Sequence, residues 1–234
     1  TSRMTAAAVD QGEKPAVPSA IAKYHATELG RTVIQDAMDV HAGKAVILGP
    51  KNYLGRAWQG APISVTVEGA NILTRSMIIF GQGAVRCHPY VLKLMEAAAI
   101  ADPERRATEF DRVLCQHVGF AVSNACRAFV YGLFHSRIGS APSDPYLRRY
   151  YRKLSRYSAA LALCADTAML VLGGKLKQKE RISARLGDVL SYLYMASAML
   201  KRFEDQGRPE LDRPLLAWAF HDSIWRIQNA LDGM

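Results

Sequence analysis

The chain has 234 residues and a mass of 25.8 kDa, enough to bury a sizeable core as one large domain or two small ones. Half of the residues are apolar and 22% are charged, which excludes a disordered or low-complexity chain. The formal charge of +9 attracts nucleic acid, anionic lipid or phosphorylated ligands without choosing among them.

In chain order, nearly every segment reads as helix. Pro15 and Pro18 break an initial polar segment, and a helix is predicted over 19–41, with Ile21, Tyr24, Leu29, Val33 and Met38 at helical spacing. Residues 43–60 contain Gly, Pro and Asn and read as a loop. A second helix is predicted over 68–80, and a third from Pro89 to about residue 101. Asp102-Pro103-Glu104 combines an N-cap side chain, a first-position proline and a first-turn acid, and opens a long amphipathic helix to about His135. Ser143-Asp144-Pro145 starts the next, which ends at Gly173-Gly174. Further helices cover 180–205, stopped by Gly207, and 212 to the end. Long helices with short connections favour antiparallel neighbours. The expected fold is therefore all-α, an antiparallel helical bundle, with a weak boundary that separates residues 1–90 from 91–234. Arg, Lys or Asp interrupts each apolar run, so no membrane span is expected. The first residues have no signal-peptide pattern and the last stop inside a helical pattern, so both ends read as cut.

Cys87, Cys115, Cys126 and Cys164 have no paired spacing of the kind that marks zinc or a disulfide frame. Cys115 and Cys126, eleven apart, fall on one helical face and are expected to be buried thiols in a reducing, cytoplasmic compartment. His25, His41, His88, His117, His135 and His221 show no ligand spacing, so no metal site is expected. Trp218 and Trp225 share a face of the last helix and read as core or interface. Between Arg148 and Arg185 the sequence has ten Lys/Arg against Asp166 and Glu180. That run is a solvated face or a contact for an anionic membrane surface. No nucleic-acid recognition motif accompanies it.

The stretch Val65-Thr66-Val67-Glu68-Gly69-Ala70-Asn71-Ile72 carries the most chemistry. A carboxylate among Val65, Val67 and Ile72 is expected to lose water, which suits it to take a proton near neutrality. Gly69 allows a ligand close to the backbone. The structural alternative makes Glu68 a first-turn acid that complements a helix dipole. Upstream, Asp39-Val40-His41-Ala42-Gly43 ends a helix in a glycine-containing loop, which could present N–H groups to a phosphate or simply cap the helix.

Together these stretches resemble the C-terminal domain of acyl-CoA dehydrogenases, in which a flavin-contacting loop is followed by a catalytic glutamate and a glycine. Glu68 follows Asp39 by 29 residues, close to the family's spacing. The runs AMDVHAGKAVILGPKNYLGRAWQGAP, VTVEGANILTRSMIIFGQGAVRCHPYVL and LGGKLKQKERISARLGDVLSYLYMASAMLKR look like the bacterial long-chain subgroup. The third belongs to that subgroup's added C-terminal helices.

The resemblance implies a C-terminal part of an FAD enzyme that converts acyl-CoA to trans-2-enoyl-CoA in fatty-acid β-oxidation. Glu68 would take the α-proton, and N–H groups at Glu68 or Gly69 would hold the thioester carbonyl. Asp39, Val40, His41, Ala42 and Gly43, with Ala70, Asn71 and Ile72, would contact FAD. The implied partners are acyl-CoA, an electron-transferring flavoprotein and further copies of the chain, with peripheral membrane contact possible for a long-chain enzyme. Asp39 stands where the family has Gln, and Ala42 where it has the first Gly. Ala70 stands where Thr is common, and Ile72 where a polar residue is. Backbone contacts could survive all four changes. The family's β-domain is not legible in these residues, so weak cofactor binding by this chain alone is expected.

Overall fold

A computed structural model describes residues 1–83, 88–134, 136–138, 141–142 and 144–234. Cys87, His135 and Ser143, named above, lie outside the described residues. Ten α-helices carry the chain, and no strand occurs among the described residues. The expected all-α architecture is present. Clustering in space divides the chain into two units, Thr1–Ile78 and Ile79–Met234.

In the first unit, α1 (Ser2–Asp10) is helical where a broken polar segment was expected. The following helix, α2 (Ala16–His41), starts directly after Pro15. Pro18 sits in its first turn, where a missing N–H removes no intrahelical bond. The predicted loop over 43–60 is instead a one-turn α3 (Gly43–Val46) and the start of α4 (Leu54–Thr66). Asn52 joins the two. Its amide donates to the Ala45 and Ile47 carbonyls at 2.6 and 3.0 Å, and its side-chain oxygen accepts from the Gly55 N–H at 2.7 Å. A Cβ on Gly55 would stand 2.7 Å from the Leu48 side-chain tip and 3.1 Å from the Ala45 carbonyl, so any larger residue requires both to shift. The next helix begins at Asn71, not at Glu68: α5 (Asn71–Leu73) continues as a π-helical stretch, Thr74–Gln82, whose residues from Ile79 onward belong to the second unit.

The second unit contains α6 (Val91–Ala98), α7 (Pro103–Leu133), α8 (Pro145–Leu172), α9 (Glu180–Asp205) and α10 (Arg213–Asp232). Asp102 caps α7 by accepting from the Arg105 N–H at 3.2 Å, and Asp144 caps α8 by accepting from Tyr146 at 2.8 Å. Tyr146 reaches the Arg213 carbonyl and Tyr157 pairs with Gln228, so α8 and α10 run the same way. Tyr151 bonds Glu204, which sets α9 antiparallel to α8. The core between them comprises Leu147, Tyr150, Leu154 and Tyr157 with Val189, Leu193, Leu200, Phe220 and Ile227.

One expectation about faces is overturned and another is narrowed. Cys115 and Cys126 are exposed, and only Cys164 is half-buried; their spacing does put them on one face of α7, but the described chain does not cover it. Trp218 and Trp225 are exposed as well, which removes the core reading and leaves that of an interface, because the inward face of α10 belongs to Leu216, Phe220, Ile224 and Ile227. The expectation that charge interrupts every apolar run too closely for a membrane span also needs amendment. The helix over Pro145–Leu176 is long and apolar enough to cross a membrane by length and composition alone. Asp166 and Lys175 are the charged residues between 159 and 176.

Candidate functional site

The turn between α4 and α5 is built from two successive residues with left-handed backbone, Glu68 (φ +54°) and Gly69 (φ +90°). For glycine this costs little; for Glu68 it is strained. A bond network anchored on α2 holds it. Lys23 Nζ donates to the Gly69 carbonyl and to Asn71 Oδ1, both at 2.7 Å. The Thr74 hydroxyl also reaches the Gly69 carbonyl, at 3.3 Å. Asn71 Nδ2 donates to Thr27 Oγ1 at 2.9 Å and to Glu28 Oε1 at 2.8 Å. Because the peptide is planar and trans, fixing the Gly69 carbonyl on Lys23 turns the Ala70 N–H to the opposite side.

This geometry changes the reading of several residues. Glu68 lies three residues before the first helical one, so it is not a first-turn acid. It is exposed, as are Val67 and Ile72, so the described chain does not remove the water around Glu68 that the apolar neighbours suggested. Asn71 is 3% exposed, with its amide engaged by Lys23, Thr27 and Glu28. Ala70 is half-buried and Ile72 stands outward. The network residues Lys23, Thr27 and Glu28 were not anticipated. Their spacing of four and five along one helix is the only sequence signal, and any solvated helix shows the same.

The loop residues Asp39, Val40, His41, Ala42 and Gly43 are all exposed. Ala42 takes φ +45°, a backbone that glycine adopts readily and alanine rarely. His41 Nδ1 lies 2.9 Å from the Ala37 carbonyl and so carries the proton, leaving Nε2 to accept from the Tyr53 hydroxyl at 3.1 Å. Asp39 and Ala42 border an open groove of about 550 Å³ together with Met38, Val46 and Trp58. Trp58 Nε1 is tied to Gln35 at 2.9 Å. A cofactor in this groove would meet Ala42 with its backbone engaged, the N–H on the Met38 carbonyl and the carbonyl taken by the Ala45 N–H, both at 2.9 Å. The buried side chain of Asn71 has both amide hydrogens engaged and none to donate to one.

In the second unit the structure assembles histidines that looked scattered in sequence. His88 and His117 both reach Asp166 Oδ1 through Nε2, at 3.0 and 3.1 Å. The ligand-type atoms of all three lie within 4.8 Å of one another, a spacing that a cation could use. The tautomer argues otherwise. His88 Nδ1 accepts from the backbone N–H groups of Tyr90 and Val91, each at 3.2 Å, at the start of α6. The proton must then sit on Nε2 and point at the carboxylate. A cation on Nε2 would force the proton to Nδ1, against two N–H donors. The arrangement is a hydrogen-bonded His–Asp–His cluster that closes α6 and α7 onto α8.

Compared with known protein families, residues 85–234 match the one described as acyl-CoA dehydrogenase, C-terminal, bacterial type. Residues 1–81 match the acyl-CoA dehydrogenase C-terminal domain. No solved structure matches the chain.

Proposed function

Because the chain belongs to the acyl-CoA dehydrogenase family, we propose that it is the C-terminal part of an enzyme oxidising medium- or long-chain acyl-CoA to trans-2-enoyl-CoA, with Glu68 as the α-proton base. The observation that carries this reading is the left-handed Glu68–Gly69 turn held by Lys23. It fixes the backbone of an exposed carboxylate in the turn before α5 and leaves the side chain free to meet a ligand. Such pre-organisation suits a group that must meet an acidic C–H at fixed distance. N–H groups of the same turn would support the developing charge on the thioester oxygen. The hydride acceptor is supplied by FAD when it is bound, along the backbone of Ala42–Gly43 and beside Ala70. An electron-transferring flavoprotein as the next acceptor, self-association and membrane-surface contact belong to the same proposal.

The test is Glu68→Gln in the full-length, flavin-loaded enzyme, which keeps the shape and removes the base. Dehydrogenation of acyl-CoA is expected to fall by about 10³-fold or more, as is exchange of the α-proton with solvent deuterium. Retention of both rates would remove Glu68 from the role of base.

A further inference from the structure

The larger unit contains a second pocket, of about 320 Å³, between the turn after α7, the first half of α8 and the last half of α10. Among the described residues its lining includes Lys153, Arg156, His221 and Ser136, and no carboxylate. The Tyr157–Gln228 hydrogen bond, 2.7 Å long, lies along the same wall. Among the described residues the ion pairs of this unit engage other cations: Arg112, Lys201, Arg208, Arg213 and Arg226. Arg156 lies over the Tyr157 ring at 5.5 Å, a contact that leaves guanidinium N–H groups to donate elsewhere.

Ser136 supplies the independent sign of a ligand. Its backbone is left-handed, φ +62°, because its N–H closes the end of α7 on the Tyr131 carbonyl at 2.8 Å. That turn buries the residue to 4% exposure, with its hydroxyl lacking any partner. A buried hydroxyl without a partner is costly, and cations gathered on one wall repel. An oxyanion relieves both. It accepts from the hydroxyl and from the two cationic side chains at once, through charge-assisted bonds.

We propose that this pocket binds the phosphate group of a small molecule or lipid headgroup, held by Lys153, Arg156 and the Ser136 hydroxyl. The site is independent of the Glu68 turn and does not rest on the proposed dehydrogenation. His221 reports on it. Burial first, then Lys153 and Arg149, hold the imidazole below the usual histidine value. A bound anion opposes that field and must raise it.

The experiment follows the His221 imidazole by NMR through a pH titration of the 234-residue chain. Inorganic phosphate is added against sodium chloride of matched ionic strength, then phosphatidylcholine vesicles with and without phosphatidic acid. Phosphate is expected to raise the His221 midpoint by about half a unit or more. Lys153→Met and Arg156→Gln should each weaken that response about tenfold, read on whichever variants keep the wild-type circular dichroism. Arg181→Gln, exposed at the start of α9 and not among the pocket's lining residues, should leave it unchanged. A response to free phosphate assigns a soluble ligand, and a response only to phosphatidic acid vesicles assigns a headgroup. No response to either, or an equal response to chloride, overturns the proposal.

Discussion

A left-handed backbone costs a non-glycine residue about 1–2 kcal/mol, and Glu68 keeps one because Lys23 holds the next carbonyl. Lys23 therefore acts on the turn as a positioning residue. Lys23→Met keeps the stem and removes both bonds, to the Gly69 carbonyl and to Asn71 Oδ1. The expected loss is about 1–3 kcal/mol from the first unit, read by urea unfolding. In the full-length enzyme kcat should fall more than KM rises, since the turn loses its set geometry rather than a substrate contact. Wild-type kcat with wild-type stability would refute that role. At this scale the sequence was partly legible. Glu68-Gly69 could be singled out because a carboxylate beside glycine is a local pattern. Lys23 could not, because its partners lie 46 and 48 residues away. Cys115 and Cys126 show the same limit: spacing fixes a shared face, but only packing decides whether something covers it.

At the level of elements, caps written in contiguous residues were readable and caps made by distant side chains were not. Asp102-Pro103 and Asp144-Pro145 start α7 and α8 as their chemistry requires. Gly173 (φ +49°) ends α8, and Gly207 (φ +78°) follows α9. The π-helical stretch after α5 has no sequence signature, and the first half of α4 was lost to Gly55 and Gly60, which read with Pro50 and Asn52 as a loop. The start of α6 depends on His88, which sequence alone leaves isolated. Burial is the largest influence on His88 and lowers its pKa, against the attraction of Asp166 and with the help of His117. The folded ring thus binds a proton less readily than the unfolded one. Its contribution to stability is full above the ordinary histidine value, about 6.5, and is lost as pH falls through the lower folded value. Protonation also puts a hydrogen on Nδ1, which ends its acceptance from Tyr90 and Val91. Urea unfolding followed between about pH 7 and pH 5 should show stability falling with acid. His88→Gln should be less stable at pH 7 by about 1–2 kcal/mol and have a flatter acid limb. Parallel limbs would show that His88 is not the group responsible.

Across the whole chain, two helices of equal length mark the contrast between the units. The 26 residues of α9 bury eleven, from Ser183 to Phe203, whereas the 26 of α2 bury Val17 and Ile21 alone. The first unit leaves Leu29, Val33, Trp58 and Ile63 facing outward, and Ile72 and Leu73 beside the Glu68 turn. Periodicity could forecast those stripes but not that they lack cover, because cover depends on packing partners and not on spacing. Apolar surface of that kind is normally an interface. Under the proposed function, the covering surface and most of a flavin pocket come from other parts of the enzyme or from another copy. The groove beside Asp39 and Ala42 is open, the Asn71 amide is engaged internally, and His41 is tied to Ala37 and Tyr53. The chain alone is therefore expected to purify colourless, and added FAD should bind too weakly to survive gel filtration. Visible flavin absorption at near-stoichiometric level would mean that the backbone at Ala42–Gly43 and the Glu68 turn already suffice to hold the cofactor. In that case the outward apolar faces would need another explanation, such as contact between copies, which the elution volume of the same sample would show.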